Sequence, residues 1–506
     1  MQRFIKQFIL LTAVAVSALA AATAYAKDKV YEADVVVVGA GSSGLSAAVS
    51  AAYSGAKVIV LEKQDMAGGS SNLAEGLFAV ETDELRKKSV TLTPMEAFKH
   101  SMEFNHYRAD SKLVHLYLNE GKNTINWLKE QGVEFDPIKI SPTEAPVWHL
   151  VKDKNGIHHG ASLIATMVGK ANELGVKILY STPGKNLIMK DGKVSGVEGT
   201  NDKGDRVLVY AKAVILATGG FPNSKEMIAK HTRFNADSVF ATAPLDKTGD
   251  GINMALAAGA DSEGWGLMLH PGTKRPLGPM FAMTWQPSLW VNKYGKRFVD
   301  EDVVYSFAMA GNAIERERDH AIWTVFDDAT VKYIAEQGID NGLGVLIPLG
   351  TKLPNLVDEM KGEKAKGNKD VAIASSIEDL AKQMGVDPKT LATTVKNYNS
   401  YIVNNVDPEF DRDTRKMTPV KTGNFYAIKV YPYFFVSLGG ARVNEKMQAI
   451  NDKDEPINGL YVAGCDVGGL YGDTYTLWAS GSAFSFAATS GRIAGADAAK
   501  YIKTVK

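Results

Sequence analysis

Near the start of the chain, two short apolar runs flank one alanine-rich segment. Residues 34–38 end in four consecutive valines, a pattern typical of a strand buried on both faces of a parallel sheet. Residues 45–54 have the length and composition of a helix, which ends before Gly55, and residues 57–61 form a second β-branched run. This order predicts a βαβ unit and an α/β fold, α+β overall.

Three glycines at the first strand-to-helix turn have the GxGxxG spacing: Gly39, Gly41 and Gly44. The first permits a tight turn, the second lets the backbone approach a pyrophosphate, and the third lets the helix pack closely on the strand. Glu62 follows the second strand, where a carboxylate would accept hydrogen bonds from a ribose. We predict a dinucleotide site, and the alternative is a glycine-rich turn in an ordinary α/β unit.

The rest of the pattern divides the chain further. Short β runs alternate with turn signals over 176–216, and aromatics and prolines become frequent from about 264 to 430, with helices expected near 356–362 and 376–403. We predict a nucleotide-binding domain formed by residues 27–263 and 431–506, with a capping domain inserted at 264–430.

Composition narrows the class of protein. Charged residues make up 23% of the chain, and the 57 basic residues balance the 57 acidic ones, so no global field favours nucleic acid. Cys465 is the only cysteine, which excludes an intrachain disulfide, a CxxCH haem site and a cysteine-ligated iron–sulfur cluster. His158 and His159 lack a third metal-like partner nearby in the sequence, so we predict no metal site.

The first 26 residues have the pattern of a secretory signal peptide. Arg3 and Lys6 precede an apolar run at 8–20, and Ala24-Tyr25-Ala26 is a small-x-small cleavage site. We therefore expect export through a Sec-type route to the periplasm and no membrane span in the mature protein. An N-terminal membrane anchor is the alternative.

Further candidate cofactor contacts occur where strands end or helices begin. One group follows the second strand, one follows the apolar strand at 213–216, Asp250 begins a helix, and two more groups lie near the C-terminus. The full candidate set is Gly39, Ala40, Gly41, Ser43, Gly44, Glu62, Lys63, Gly69, Ser70, Ser71, Asn72, Ala217, Thr218, Gly219, Asp250, Gly464, Asp466, Ser480, Ser482 and Ala483.

These blocks, in this order, resemble the flavoprotein family of fumarate reductase and succinate dehydrogenase. The likeness covers nearly the whole mature chain and is greatest to the soluble periplasmic flavocytochrome c fumarate reductases and urocanate reductases, with some likeness to ketosteroid dehydrogenases. It implies a Rossmann-like FAD-binding domain, in which residues 68–72 resemble the Gly-Gly-Ser/Asn stretch that approaches the flavin. It also implies FAD held non-covalently, since residues 68–72 contain no histidine for a covalent link. It also implies a small unsaturated substrate and anaerobic electron transport. Because the chain has no haem site, the donor would be external, such as a periplasmic cytochrome c or a quinol-linked protein.

The resemblance also suggests catalytic residues. The block Gly295-Lys296-Arg297-Phe298 matches the family, and it implies that Arg297 protonates one alkene carbon while flavin N5 delivers hydride to the other. Glu301 would belong to a proton relay, and His270 would hold a substrate carboxylate. The alternative for Arg297 is a surface turn residue.

Two family blocks are missing, and their absence affects the expected substrate. Residues 434–440 and 471–481 replace segments that hold a carboxylate in fumarate reductases, and they place Phe435, Tyr475 and Trp478 there instead. Since arginine is the main device for binding a planar carboxylate, we expect an enoate or enone bulkier than fumarate. Three alternatives stay open: a cyclic-ketone dehydrogenase in which Tyr475 or Tyr471 holds the carbonyl, a true fumarate reductase, and a non-catalytic flavin-binding protein.

Overall fold

The structure is a computed structural model, and it describes residues 28–139, 146–274 and 278–505. The predicted signal peptide lies outside these ranges. Within them, no helix combines the length and the apolar character needed to cross a membrane.

The N-terminal part of the chain alternates strands and helices. In chain order its elements are β1 (Lys29–Glu32), β2 (Val35–Val38), α1 (Ser42–Tyr53), β3 (Val58–Leu61), β4 (Gly76–Phe78), α2 (Asp83–Lys87), α3 (Pro94–Phe104), α4 (Ser111–Glu130), β5 (Phe135–Ile138), β6 (Trp148–Val151), α5 (His159–Glu173), β7 (Lys177–Leu179), β8 (Gly184–Lys190), β9 (Lys193–Thr200), β10 (Arg206–Tyr210), β11 (Ala213–Leu216), α6 (Lys225–His231), β12 (Phe240–Ala241), α7 (Asp250–Ala257) and β13 (Ser262–Gly272).

The remaining elements form the capping region and then return to the first domain. They are α8 (Pro279–Met283), β14 (Leu289–Val291), α9 (Phe307–Arg316), β15 (Ile322–Asp327), α10 (Asp328–Glu336), α11 (Leu356–Ala365), β16 (Val371–Ala374), α12 (Ile377–Met384), α13 (Pro388–Asn404), β17 (Phe425–Ala441), β18 (Gln448–Ile450), β19 (Pro456–Val462) and α14 (Ser482–Tyr501).

The central sheet confirms the predicted βαβ unit. Its strand order is β18-β19-β11-β2-β3-β7, and all neighbouring pairs are parallel except β18 with β19. Every residue of β2, β3 and β11 is buried, which explains the uninterrupted apolar runs. The helix predicted at 45–54 begins three residues earlier, at Ser42, so the last glycine of the motif lies inside its first turn.

The capping region is built around the long strand β17, which pairs with β12, β13, β15 and β16. The predicted domain boundaries at 263/264 and 430/431 fall inside β13 and β17. These two strands pair antiparallel from Ser262 with Ala441 to Gly272 with Tyr431, and they continue from one domain into the other.

One predicted element in the cap is wrong. The helix expected at 376–403 is two helices, α12 and α13. Gly385 ends the first in a left-handed conformation at φ +73°, and Asp387 caps the second because its side chain accepts a hydrogen bond from Thr390 N–H. Pro388 then occupies the first turn, where its missing N–H is tolerated.

A half-buried carboxylate links the segment before β4 to the predicted cap, away from the strands β13 and β17. Glu75, just before β4, accepts a hydrogen bond from the N–H of Val345 in the cap at 3.3 Å. Gly344 packs so closely on this carboxylate that a Cβ there would lie 2.3 Å from its Oε2 atom. Burial is the main cause that raises the pKa of Glu75 to about 7.

We predict that this carboxyl makes stability depend on pH. Because its folded pKa is raised above the usual 4.5, its contribution is complete below pH 4.5 and is lost as pH rises through about 7. A shift of this size corresponds to at most about 3 kcal/mol in the free energy of unfolding. In denaturant titrations from pH 4.5 to 8, the wild-type protein should lose stability relative to the Glu75→Gln variant.

The control is Glu173→Gln, which removes an exposed carboxylate at the end of α5. Its stability should follow the wild-type pH dependence. Parallel pH profiles for wild type and Glu75→Gln would show that Glu75 is not the titrating group.

Candidate active site

The glycine motif forms a cradle at the carboxyl end of β2. Gly39 has φ +105°, and a Cβ on it would lie 2.3 Å from the carbonyl oxygen of Ala217. A Cβ on Gly44 would lie 1.9 Å from the Gly39 oxygen, so both positions require glycine for packing. At Gly41, however, the nearest protein atom would be 3.6 Å away, which leaves room above the backbone for a ligand.

Glu62 closes one side of this cradle. Its Oε2 atom accepts a hydrogen bond from Ala40 N–H at 2.6 Å, and Oε1 accepts one from Gln64 N–H at 2.8 Å. The adjacent Lys63 forms ion pairs with Asp246 at 2.9 Å and Asp250 at 3.2 Å. The predicted cofactor contacts Glu62 and Lys63 therefore lie beside Asp250, which is predicted from a distant part of the sequence.

A single cavity brings together more than half of the predicted cofactor contacts. It extends from Glu62, Lys63, Pro183 and Gly184 past the glycine turn to Cys465. The predicted residues that line it are Gly39, Gly41, Ser43, Glu62, Lys63, Gly69, Ser70, Ser71, Ala217, Thr218, Gly219 and Asp250.

A smaller cavity adjoins the first, since Cys465 lines both. Its other lining residues include the predicted Gly464 and Ala483, together with Tyr471 and residues 436–439. Ala483 belongs to the first turn of α14, so the second cavity lies at a helix N-terminus, where the dipole favours negative charge.

Two tyrosines lie at this helix N-terminus. The Tyr471 hydroxyl is 2.9 Å from Ser482 Oγ, and the Tyr475 hydroxyl accepts the N–H of Ala483 at 3.1 Å. Their ring centroids are 4.9 Å apart. Burial raises the pKa of each phenol above its usual value, so both hydroxyls stay protonated at neutral pH.

The other predicted cofactor residues line neither cavity, because their polar groups bind the protein itself or because they pack against it. Ala40 N–H binds Glu62, Gly44 packs on Gly39, and Asn72 Nδ2 donates to Ala67 O at 3.0 Å. Asp466 accepts the N–H groups of Thr218 and Gly220 at 2.5 and 2.8 Å. Ser480 and Ser482 are buried.

The structure corrects the role predicted for Arg297. Its side chain is 1% exposed and lines neither cavity. All five guanidinium N–H donors bind carboxylates: Glu301 at 2.8 and 2.9 Å, Asp407 at 2.9 and 3.0 Å, and Glu409 at 3.2 Å. Burial lowers the pKa of Arg297, and hydrogen bonds to Glu301 and Asp407 more than reverse this, so the pKa is raised. With every donor engaged, Arg297 cannot deliver a proton to a substrate in this arrangement.

Glu301 belongs to the same ion-pair network, so its predicted relay role is also corrected. Its carboxylate binds Arg297 on one side, and Oε2 also accepts from Arg412 Nη1 at 3.0 Å. The carboxylate is 0% exposed. It bridges two buried arginines inside the cap, which is a structural role.

His270 does not fit its predicted role as a carboxylate ligand. Burial lowers its pKa to about 3, so the ring is neutral. Nδ1 lies 2.8 Å from the Pro271 carbonyl and must donate to it, so Nε2 accepts from the Thr242 hydroxyl at 2.8 Å. The histidine therefore has neither a charge nor a spare donor for a carboxylate.

The three aromatics predicted in place of the carboxylate-binding segments make three separate ring contacts. Phe435 stacks on His270 at 4.1 Å, Tyr475 pairs with Tyr471, and Trp478 lies 4.2 Å from the ring of His100. Phe435 lines neither cavity, and it packs against the apolar cores on both sides of the predicted domain boundary.

Sequence reasoning missed Lys247, which lines the first cavity. The signal was available, since this lysine directly precedes the motif Thr248-Gly249-Asp250-Gly251. Asp250, three residues later, was predicted as a cofactor contact because it begins a helix. Lys247 was not, because a lysine in a loop is usually exposed.

Comparison with known proteins identifies the family. Residues 34–481 match the family described as FAD binding domain. The chain belongs to this FAD-binding family. A vinyl phenol reductase of Lactiplantibacillus plantarum is 35% identical over 92% of this chain and 96% of its own length. A cytochrome-type fumarate reductase of Shewanella frigidimarina is 31% identical over 93% of this chain and 77% of its own.

The fold agrees with these relatives. The open conformation of a flavocytochrome c3 fumarate reductase superposes with a TM-score of 0.71 at 27% identity, covering 97% of this chain and 81% of the other. The predicted family, fold class, FAD cofactor and oxidoreductase activity on C=C bonds are thereby confirmed. The open space above Gly41 and the ribose-type acceptor Glu62 fit this cofactor.

We predict that Arg297 acts on stability. Arg297→Met leaves the buried Asp407 without its main cation, and such losses typically lower the free energy of unfolding by about 3–5 kcal/mol. Denaturant titration of the FAD-loaded variant measures this.

The matched control is Arg415→Met, which breaks an exposed pair with Asp413 and should change stability little. If Arg297→Met keeps wild-type stability and FAD content but loses turnover, the proton-donor role would be restored.

Proposed function

We propose that this protein reduces a C=C bond conjugated to an aromatic ring or carbonyl, in a substrate that carries fewer charges than fumarate. The observation that carries this is the pair Tyr471 and Tyr475 at the N-terminus of α14, beside the cavity that continues the FAD site. These phenols offer neutral donors in the segment 471–481, which replaces a carboxylate-binding segment of fumarate reductases.

The cations that were candidates for binding a carboxylate support the same view. Arg297 has no free donor, and His270 is neutral with its only N–H engaged. Burying a carboxylate without a cation or sufficient donors costs several kcal/mol. A phenol or carbonyl oxygen needs only a hydrogen bond, which the Tyr471 hydroxyl can donate.

The relative at 35% identity supports an aromatic substrate, since its name specifies vinyl phenol, an uncharged aryl alkene. Phe435, at the boundary of the two domains, offers an apolar face for such a ring. We propose that the substrate lies between Phe435 and the tyrosine pair.

FAD, when bound, supplies hydride to one alkene carbon. The chain's own residues position the substrate and supply a proton to the other carbon, so that one hydride and one proton saturate the double bond. Tyr471 and Ser482 form a hydroxyl pair 2.9 Å apart that can pass this proton inward. We further propose that FAD is held non-covalently through the residues that line the first cavity.

We also propose that the protein works in the periplasm with an external electron donor. This rests on the sequence of residues 1–26, which predicts a signal peptide, and on the single cysteine, which leaves no haem attachment site. A periplasmic cytochrome c or a quinol-linked protein would be the donor.

The substrate class predicts a clear order of activities. With reduced viologen as donor, kcat/KM for 4-vinylphenol or an aryl acrylate should exceed that for fumarate by about three orders of magnitude, equivalent to roughly 4 kcal/mol. A cyclic enone provides the third comparison. A preference for fumarate would identify a true fumarate reductase, and bleaching of oxidised FAD by saturated ketones would identify a ketone dehydrogenase.

Tyr471→Phe tests the role of the hydroxyl directly. Removing a positioned proton donor typically lowers turnover by about 10²- to 10⁴-fold. We expect a loss in this range in kcat, with FAD content and visible spectrum unchanged.

The matched variant is Tyr475→Phe, whose hydroxyl accepts the Ala483 N–H and does not line either cavity. It should lower kcat less than Tyr471→Phe. Equal losses in both variants would show that the tyrosines act only as a structural unit.

A further inference from the structure

Lys247 is a half-buried cation that the proposed reaction does not use. It lines the FAD cavity, and its ammonium group donates a hydrogen bond to Ser70 Oγ. Among the described residues, no carboxylate lies within ion-pair distance of it. Asp466 raises the pKa of Lys247 electrostatically, but its oxygens already accept hydrogen bonds from Thr218 and Gly220.

The backbone holds Lys247 in a fixed orientation. Its N–H donates to Asn223 Oδ1 at 3.1 Å, and its carbonyl accepts from Asn223 N–H at 2.9 Å. The preceding residue, Asp246, forms its ion pair with Lys63 and not with Lys247. The loop thus directs an anion toward one part of the cavity and an unpaired cation toward another.

The surroundings of the ammonium group indicate which part of FAD it faces. Ser70 lies in the stretch 68–72, which the family resemblance places beside the flavin ring. A Cβ on Gly219 would lie 3.0 Å from Lys247 Cδ, so the lysine stem runs over the glycine. Cys465, which also influences Lys247, is the residue shared with the second cavity.

The pyrophosphate has a separate site. The open backbone at Gly41 and the N-terminus of α1 provide N–H groups and a positive dipole end. Lys63, the other lysine that lines the cavity, is neutralised by two aspartates. A partly desolvated cation without an ion-pair partner is costly, and desolvation lowers the pKa of Lys247 accordingly. An anion that forms only on reduction of the flavin would stabilise it.

We infer that Lys247 faces the isoalloxazine ring of bound FAD, stabilises its reduced anionic form and thereby raises the reduction potential of the flavin. The effect is electrostatic, since a cation in a poorly hydrated site interacts strongly with charge that develops nearby. The residue is a positioning and tuning residue, and its effect can be measured without any substrate.

The test compares Lys247→Met and Lys247→Gln with Lys247→Arg and with the control Lys382→Met in FAD-loaded protein. The midpoint potential is measured against a reference dye, and the dissociation constant of oxidised FAD is measured separately. In Lys247→Met, the ratio of the affinity for reduced FAD to the affinity for oxidised FAD should fall at least tenfold relative to wild type. For a two-electron couple, this corresponds to a midpoint potential about 30 mV lower. Lys247→Arg should stay near the wild-type potential, and Lys382→Met, which breaks an exposed ion pair with Asp379 away from the cavity, should not change it.

Two results would overturn the inference. The first is an unchanged midpoint potential in Lys247→Met, whether or not FAD binding weakens. This result would mean that Lys247 binds the pyrophosphate, because the charge of the pyrophosphate is the same in oxidised and reduced FAD. The second is loss of oxidised FAD from both Lys247→Met and Lys247→Gln while Lys247→Arg retains it, which would also assign the cation to the phosphates. Neither readout involves an alkene, so failure here is distinct from failure of the proposed substrate class.

Discussion

The close packing of α1 against α14 is the contact on which the site depends. A Cβ on Gly491 would lie 2.1 Å from the Ser43 carbonyl, and one on Gly495 would lie 2.2 Å from the Ala47 carbonyl, so the two helices meet backbone to backbone. Gly464 N–H also donates to Ser490 Oγ at 2.9 Å. This contact holds the C-terminal segment, with Cys465 and the tyrosine pair, beside the cradle formed near the start of the chain.

The cap is stabilised by a different interaction, a buried network of charges. Arg297 and Arg412 share Glu301, and Asp407 completes the set from a segment 110 residues away. Such a network is weak evidence for net stability, but removing one member leaves a buried charge unpaired. The block that resembles the family's catalytic segment therefore has a structural reason to exist in this chain, independent of any proton transfer.

What the sequence could predict was local. The glycines, Glu62 and the valine strands fix their own surroundings within about 30 residues, and the structure has them as expected. The errors concern residues whose role depends on distant partners. Arg297 was misassigned because Asp407 cannot be found from sequence spacing, and His270 because its partner Thr242 and its complete burial are tertiary features. The helix break near Gly385 was local and could have been found from the glycine and Asp387-Pro388.

The strands that connect the domains also contribute to the site, and this couples the two. β13 carries His270 and β17 carries Phe435, and the two rings stack where the paired strands continue from the FAD-binding domain into the cap. Phe307, on α9 of the cap, packs against the cores of both domains, as Phe435 does. A rotation of the cap about these strands would therefore shift Phe435 relative to the tyrosine pair, which α14 holds in the other domain. If the substrate lies between Phe435 and the tyrosine pair, as proposed, its fit would therefore depend on the position of the cap.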